Sequence, residues 1–167
     1  MRWSIGLLIV ISLLLVGCAQ SCSSPTPSAE SPDASTTPAE PPPENQTWIS
    51  PGKVEVGNFY PGARAEYSVT IHNGGDEPAE FSVTYRQPGD ADEGYIIAPS
   101  AAEDWVMIAD PAPLLAAKET RDVLIAVGMP KGAQAPPKWE FWIAVKDVTQ
   151  TGMVHSELAC RWLVTMK

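Results

Sequence analysis

The sequence predicts an all-β domain of two packed antiparallel sheets over residues 47–167. Three observations predict it. Apolar side chains alternate with polar ones in short runs rich in β-branched and aromatic residues, the pattern of strands with one buried face. Gly, Pro, Asn and Asp punctuate the chain between those runs. No ten-residue window after Thr47 carries the 3.6-residue repeat of an amphipathic helix.

In chain order, Trp48-Ile49 opens the apolar content and Lys53 to Val56 is the first strand expected. Ala65 to His72 sets Tyr67, Val69 and Ile71 on one face. Asn73-Gly74-Gly75-Asp76 follows, with residues able to take φ above zero in a hairpin. Glu80 to Arg86 aligns Phe81, Val83 and Tyr85. Tyr95 to Ala98 and Trp105 to Ala109 are shorter strand candidates. Arg121 to Val127 aligns Val123, Ile125 and Val127. Lys138 to Lys146 aligns Trp139, Phe141, Ile143 and Val145. Ser156 to Met166 aligns Leu158, Cys160, Trp162, Val164 and Met166. Turns are marked by Pro61-Gly62, Pro88-Gly89, Gly94, Pro111 to Pro113, Pro130 to Gly132 and Thr151-Gly152. Seven or eight strands at this spacing predict an immunoglobulin-like antiparallel β-sandwich. Its core should include Tyr67, Val69, Phe81, Val123, Ile125, Phe141, Ile143 and Trp162. The Cys…Trp…Cys signature of antibody domains is absent.

Two segments precede this domain. Met1-Arg2 is followed by a mostly apolar run, Ile5 to Val16, too short to span a bilayer and of the length of a signal-peptide core. It ends in Leu15-Val16-Gly17-Cys18, which resembles the lipobox of bacterial lipoproteins. The resemblance implies that residues 1–17 are removed and that Cys18 becomes a lipidated N-terminus. Small Val16 and Gly17 leave room for a peptidase, and the Cys18 thiol can accept a lipid thioether. Cys22 is a poorer site, because Ala19-Gln20-Ser21 lacks the large aliphatic residue. Residues 18–46 then form a linker dominated by Pro, Ser, Thr, Ala and Glu, without Lys, Arg or any large apolar side chain. Such a segment cannot bury apolar surface and is expected to stay disordered, as a stalk.

The domain itself carries a looser resemblance. Pro61-Gly62 precedes a strand, Tyr67-Ser-Val-Thr-Ile-His-Asn-Gly-Gly-Asp76 leads to Phe81-Ser-Val83, and Trp105-Val-Met-Ile-Ala-Asp-Pro111 follows. A strand then closes on Met129-Pro130, ahead of Trp139-Glu-Phe-Trp-Ile143. This run is similar to bacterial immunoglobulin-like domains of the ASH, major-sperm-protein-like and NEW3 group. It is also similar to N-terminal domains of cell-wall-associated proteins of Gram-positive bacteria. The resemblance implies an interaction or spacer module and brings no catalytic residues with it.

Charge and side-chain inventory narrow the function classes. The formal net charge is −9, and loss of Arg2 with the signal makes it −10. An acidic chain repels phosphate backbones, so no nucleic-acid partner is expected. Adhesion to anionic headgroups is disfavoured as well, leaving the lipid at Cys18 to hold the membrane. His72, His155, Cys160, Met153 and Met166 supply the ligand types of a blue-copper centre, but His155 precedes Cys160 and Cys160 falls on an inward face. Asp90, Asp92 and Glu93 lack the ligand alternation of a calcium loop and read as a solvated acidic turn. Glu103-Asp104 has no opposing carboxylate pair for glycoside hydrolysis. No Gly-x-Ser-x-Gly elbow, phosphate loop or zinc spacing is present. No cofactor, metal or catalytic activity is expected.

One residue stands out of phase. Trp142 should lie on the side of its strand opposite Phe141 and Ile143, with Glu140, Ala144 and Lys146. A large aromatic among polar groups matches the composition of a binding hot spot. The expectation is a lipid-anchored extracytoplasmic protein whose sandwich contacts an envelope protein through Trp142, Glu140 and Lys146. The alternative is a carbohydrate-binding module that stacks Trp142 on a glycan.

Overall fold

The computed structural model describes residues 43–149 and 156–167. Within them ten strands form two sheets: β1 Trp48–Ser50, β2 Lys53–Phe59, β3 Arg64–His72, β4 Ala79–Arg86, β5 Ile96–Ile97, β6 Val106–Ile108, β7 Leu114–Leu115, β8 Thr120–Gly128, β9 Lys138–Asp147 and β10 Glu157–Met166. The smaller sheet runs β1-β3-β8-β6. The larger runs β2-β10-β9-β4-β7, with β5 beside β9. The immunoglobulin-like sandwich expected from alternation is therefore present.

Its first strand changes sheets. β1 pairs antiparallel with β3 in the smaller sheet, and after Pro51 the chain continues as β2, parallel to β10 in the larger one. Alternation in β3, β4, β8, β9 and β10 predicts the inward faces correctly. Val69, Phe81, Val123, Ile125, Phe141, Ile143 and Trp162 are all at most 1% exposed. Tyr67 sits at the margin, half-buried and edge-on to Trp162 at 5.2 Å. Phe141 is the hub of the core. Its ring stacks with Trp139, Trp162 and Tyr85 at 5.7, 5.3 and 5.5 Å. Phe59 and Trp105 meet Trp139 edge-on. Pairs of this geometry add about 0.5–1.5 kcal/mol each beyond the area they bury.

Three local expectations need correction. Trp105 does not open a strand; it closes a 3-10 turn over Ser100–Trp105, and β6 begins one residue later. The strand total is ten because β1 and β7 are too short to show a period. β7 exists through its pairing of Leu114 and Leu115 with Glu80 and Ala79. Asn73-Gly74-Gly75-Asp76 is not a hairpin, because β3 and β4 belong to different sheets. It is a crossover held by Asn73, whose amide nitrogen donates to the carbonyls of Glu77 and Ala116 at 2.8 and 2.9 Å and whose side-chain oxygen accepts from the Gly75 amide. Glycine with positive φ appears instead at Gly62, Gly94 and Gly132, three of the expected turns.

Candidate interaction surface

The strand register builds a single rung across the outer face of the larger sheet. Trp142 on β9 is opposite Arg86 on β4 and Arg161 on β10, and Arg161 is opposite Lys53 on β2. Directly opposed residues share a face, so Arg86, Trp142, Arg161 and Lys53 stand in a row. On one side of it the floor is small, with Thr84, Ala144 and Ala159 in register. Beyond that floor come Ser82, Lys146 and Glu157.

The other side of the rung is covered. Glu140 lies on this face, as its phase requires, yet its exposure is 0%. It is therefore not a surface group but the centre of a charged network. The Asp92 amide donates to Glu140 Oε2 at 2.6 Å, bringing the 87–95 loop over the sheet. The Trp142 indole nitrogen and Arg161 Nε donate to Oε1 at 2.6 and 3.0 Å. Arg161 also bridges to the Asp92 carboxylate at 3.1 Å. The same loop is held by the Ala98 amide on the Glu140 carbonyl and by Gln87 on the Ala98 carbonyl. Tyr95 meets Thr165 at its hydroxyl and lies beneath the Lys138 ammonium.

The charges on the face are mostly compensated. Burial pushes the Glu140 carboxyl upward, but hydrogen bonds from Arg161, the Asp92 amide and Trp142 outweigh it and hold the group below its ordinary value. Arg161 is raised in return, first by its hydrogen bond to Glu140. Lys53 pairs with Glu55. Arg86 is held more loosely, 3.8 Å from Glu157, with its side chain 58% exposed. Trp142 itself is half-buried. Its indole N–H is fixed by Glu140, and Arg86 and Arg161 stand opposite it on the two neighbouring strands.

The remaining candidates separate. His72 is 5% exposed and bonded to Thr120, Cys160 is fully buried, and Met166 accepts the Trp139 indole N–H. His155, Met153, Cys18 and Cys22 lie outside the described residues. Burial pushes the Cys160 thiol up to about 12. Among the described residues no group of three or more His, Cys, Asp or Glu is placed to hold a metal, and no helix is long and apolar enough to cross a membrane. Asp92 is engaged by Arg161 and Glu140, and Glu103 and Asp104 are exposed on the 3-10 turn. Alternation in the sequence alone does not single out Arg86, Arg161 or Lys53. The outward phase of Arg161 is visible there, but its place beside Trp142 depends on the pairing of β10 with β9.

Neither a family model nor a curated protein matches the sequence. Solved structures do match the fold. The ASH / PapD-like domain of human CEP192 aligns over 79% of this chain and 92% of its own, at 15% identity and a TM-score of 0.54. The periplasmic chaperone SfaE aligns over 73% of this chain at 11% identity and a TM-score of 0.52; the match spans 58% of the chaperone. A family 123 glycoside hydrolase from Clostridium perfringens aligns at 7% identity and a TM-score of 0.50, over only 23% of its length. The likeness to the ASH type is thus one of fold.

Proposed function

We propose that this chain is a lipid-anchored cell-envelope protein whose sandwich binds another protein, without catalysis, through the outer face around Trp142. The observation that carries the reading is the rung of Arg86, Trp142, Arg161 and Lys53. Trp and Arg are the side chains most enriched at binding hot spots, and a ring locked before contact loses little rotamer freedom on binding. The fold likeness to an ASH / PapD-like domain and to a periplasmic chaperone supports the same class of role. A glycan platform would call for a flat strip of aromatics, whereas Trp142 is flanked across the strands by two arginines. The anchor is proposed at Cys18, with the linker ahead of residue 43 holding the sandwich away from the lipid.

The test is co-purification of the lipidated full chain with envelope proteins, beside its Trp142→Ala and Arg86→Ala variants. Truncating a hot-spot aromatic often costs at least 2 kcal/mol, roughly 30-fold in affinity. Both variants should lose the same partner while keeping the wild-type far-ultraviolet circular dichroism and a cooperative thermal transition. A partner retained by both variants would refute the assignment of this face. Binding to purified wall polysaccharide that is lost in Trp142→Ala would transfer the surface to the glycan reading.

A further inference from the structure

The residues just ahead of the sandwich are built into it. The His72 Nε2 bonds to the Glu44 carbonyl at 2.9 Å. A carbonyl only accepts, so Nε2 carries a proton; in the neutral ring Nδ1 then accepts from the Thr120 hydroxyl, also at 2.9 Å. The Trp48 ring stacks on the same imidazole at 5.2 Å and 19°. The Gly74 amide donates to the Thr47 hydroxyl at 3.2 Å. Lys118 donates to the Gly74 carbonyl at 2.6 Å and to Asn45 Oδ1 at 3.4 Å, and pairs with Asp76 at 2.9 Å.

Gly74 explains how the two backbones come together. A Cβ there would lie 2.2 Å from the Gln46 carbonyl carbon and 2.5 Å from the Thr47 nitrogen. Both obstacles are main chain and cannot swing aside. Gly74 is therefore required for close approach, not for an unusual φ. Contacts fall on Glu44, Asn45, Gln46, Thr47 and Trp48 in succession, and β1 continues directly onto β3 from Trp48 opposite His72. No free hinge separates residue 44 from the first strand.

We propose that residues 43–50 form a clasp that fixes the direction in which the preceding chain leaves the domain. The sandwich and residues 43–50 then move as one body, with no swivel at the junction. The register shows what this orients. His72 is opposite Thr120 at the clasped end of the smaller sheet, and Arg64 is opposite Gly128 at the other. The turns at Tyr60–Ala63 and Met129–Lys138 therefore lie at the end away from the attachment. The clasp stands without the proposed lipid; only the surface it faces rests on that reading.

Nitrogen-15 relaxation on the full chain tests the clasp. Amides of residues 44–50 should show the order of those in β3 and β8. Order as low as that of free chain ends in 44–47 would overturn the proposal. Gly74→Ala should then speed amide hydrogen exchange of residues 45–50 at least tenfold and leave Val69, Phe141 and Trp162 unchanged. Should that variant fail to fold, Lys118→Met removes three contacts while keeping an apolar stem, and should speed the same amides several-fold. Unchanged exchange at residues 45–50 in either folded variant would refute the clasp.

Discussion

Glu140 shows how far one side chain can depart from what its place in the alternation suggests. Its two oxygens meet only donors: the Asp92 amide, the Trp142 indole and both arms of Arg161. Glutamine at this site would turn one amide nitrogen toward a donor. Removing Arg161 would leave a buried carboxylate with two neutral donors. Arg161→Ala should therefore cost about 2–3 kcal/mol, less than the loss of a fully buried partner because the guanidinium side chain is 36% exposed. Urea midpoints at neutral pH check this figure. The sign of the pH effect is set by the depressed carboxyl of Glu140. The stabilisation is full above the unfolded-state value and is lost as pH falls through the lower folded value, below the ordinary 4.5. The wild type should therefore lose stability more steeply than Glu140→Gln in that acid range, and parallel curves would refute the linkage. Cys160 gives a second residue-scale expectation. A thiol pushed to about 12 by burial has almost no thiolate at pH 8. In a Cys18→Ser, Cys22→Ser background it should react with a disulfide reagent only at the rate of unfolding, and rapid labelling of the native chain would contradict its placement.

At the scale of elements, strand phase was legible in the sequence and strand coverage was not. A period of two is written into each strand, so the inward faces of β3, β4, β8, β9 and β10 follow from side chains alone. The same alternation sets Glu140, Trp142 and Ala144 outward, and they are outward. Glu140 and Ala144 are nonetheless buried, Glu140 beneath the 87–95 loop and Ala144 as a small side chain between β4 and β10. A loop crossing a sheet leaves no period in either segment. Pairing partners are equally hidden, so Trp142 could be singled out but not the arginines beside it. The clasp escapes composition for another reason: its first contact is the Glu44 carbonyl, a group every residue carries. Composition makes Gly74 a turn former, whereas the structure uses it for close approach of two backbones. Phe141 tests the part that was legible. Removing a buried phenyl ring typically costs about 3–5 kcal/mol, and this ring is stacked by three others. Phe141→Ala should lower the melting temperature by roughly ten degrees or more for a domain of this size. A shift of one or two degrees would mean that the core is not centred there.

For the whole molecule, the proposed lipid anchor must hold an acidic chain at a membrane. Its net charge of −9 opposes adsorption to anionic headgroups, and screening by salt removes the repulsion without creating attraction. No helix among the described residues can span a bilayer. The attachment proposed above is covalent lipid at Cys18, whose buried methylenes would each contribute about 0.8 kcal/mol. One acyl chain alone binds reversibly, so firm anchoring requires more than one chain on that residue. The proposed clasp would remove a hinge between residue 44 and β1, leaving the linker ahead of it to set the reach of the sandwich. The prediction is direct. Cells fed a palmitate analogue should incorporate it into the wild-type chain, and Cys18→Ser should abolish that label. Cys22→Ser should leave it intact, because the residues before Cys22 lack the aliphatic lead of Leu15-Val16-Gly17. Label that persists in Cys18→Ser and disappears in Cys22→Ser would move the anchor four residues along. Label that persists in a Cys18→Ser, Cys22→Ser double variant would refute lipidation at either cysteine.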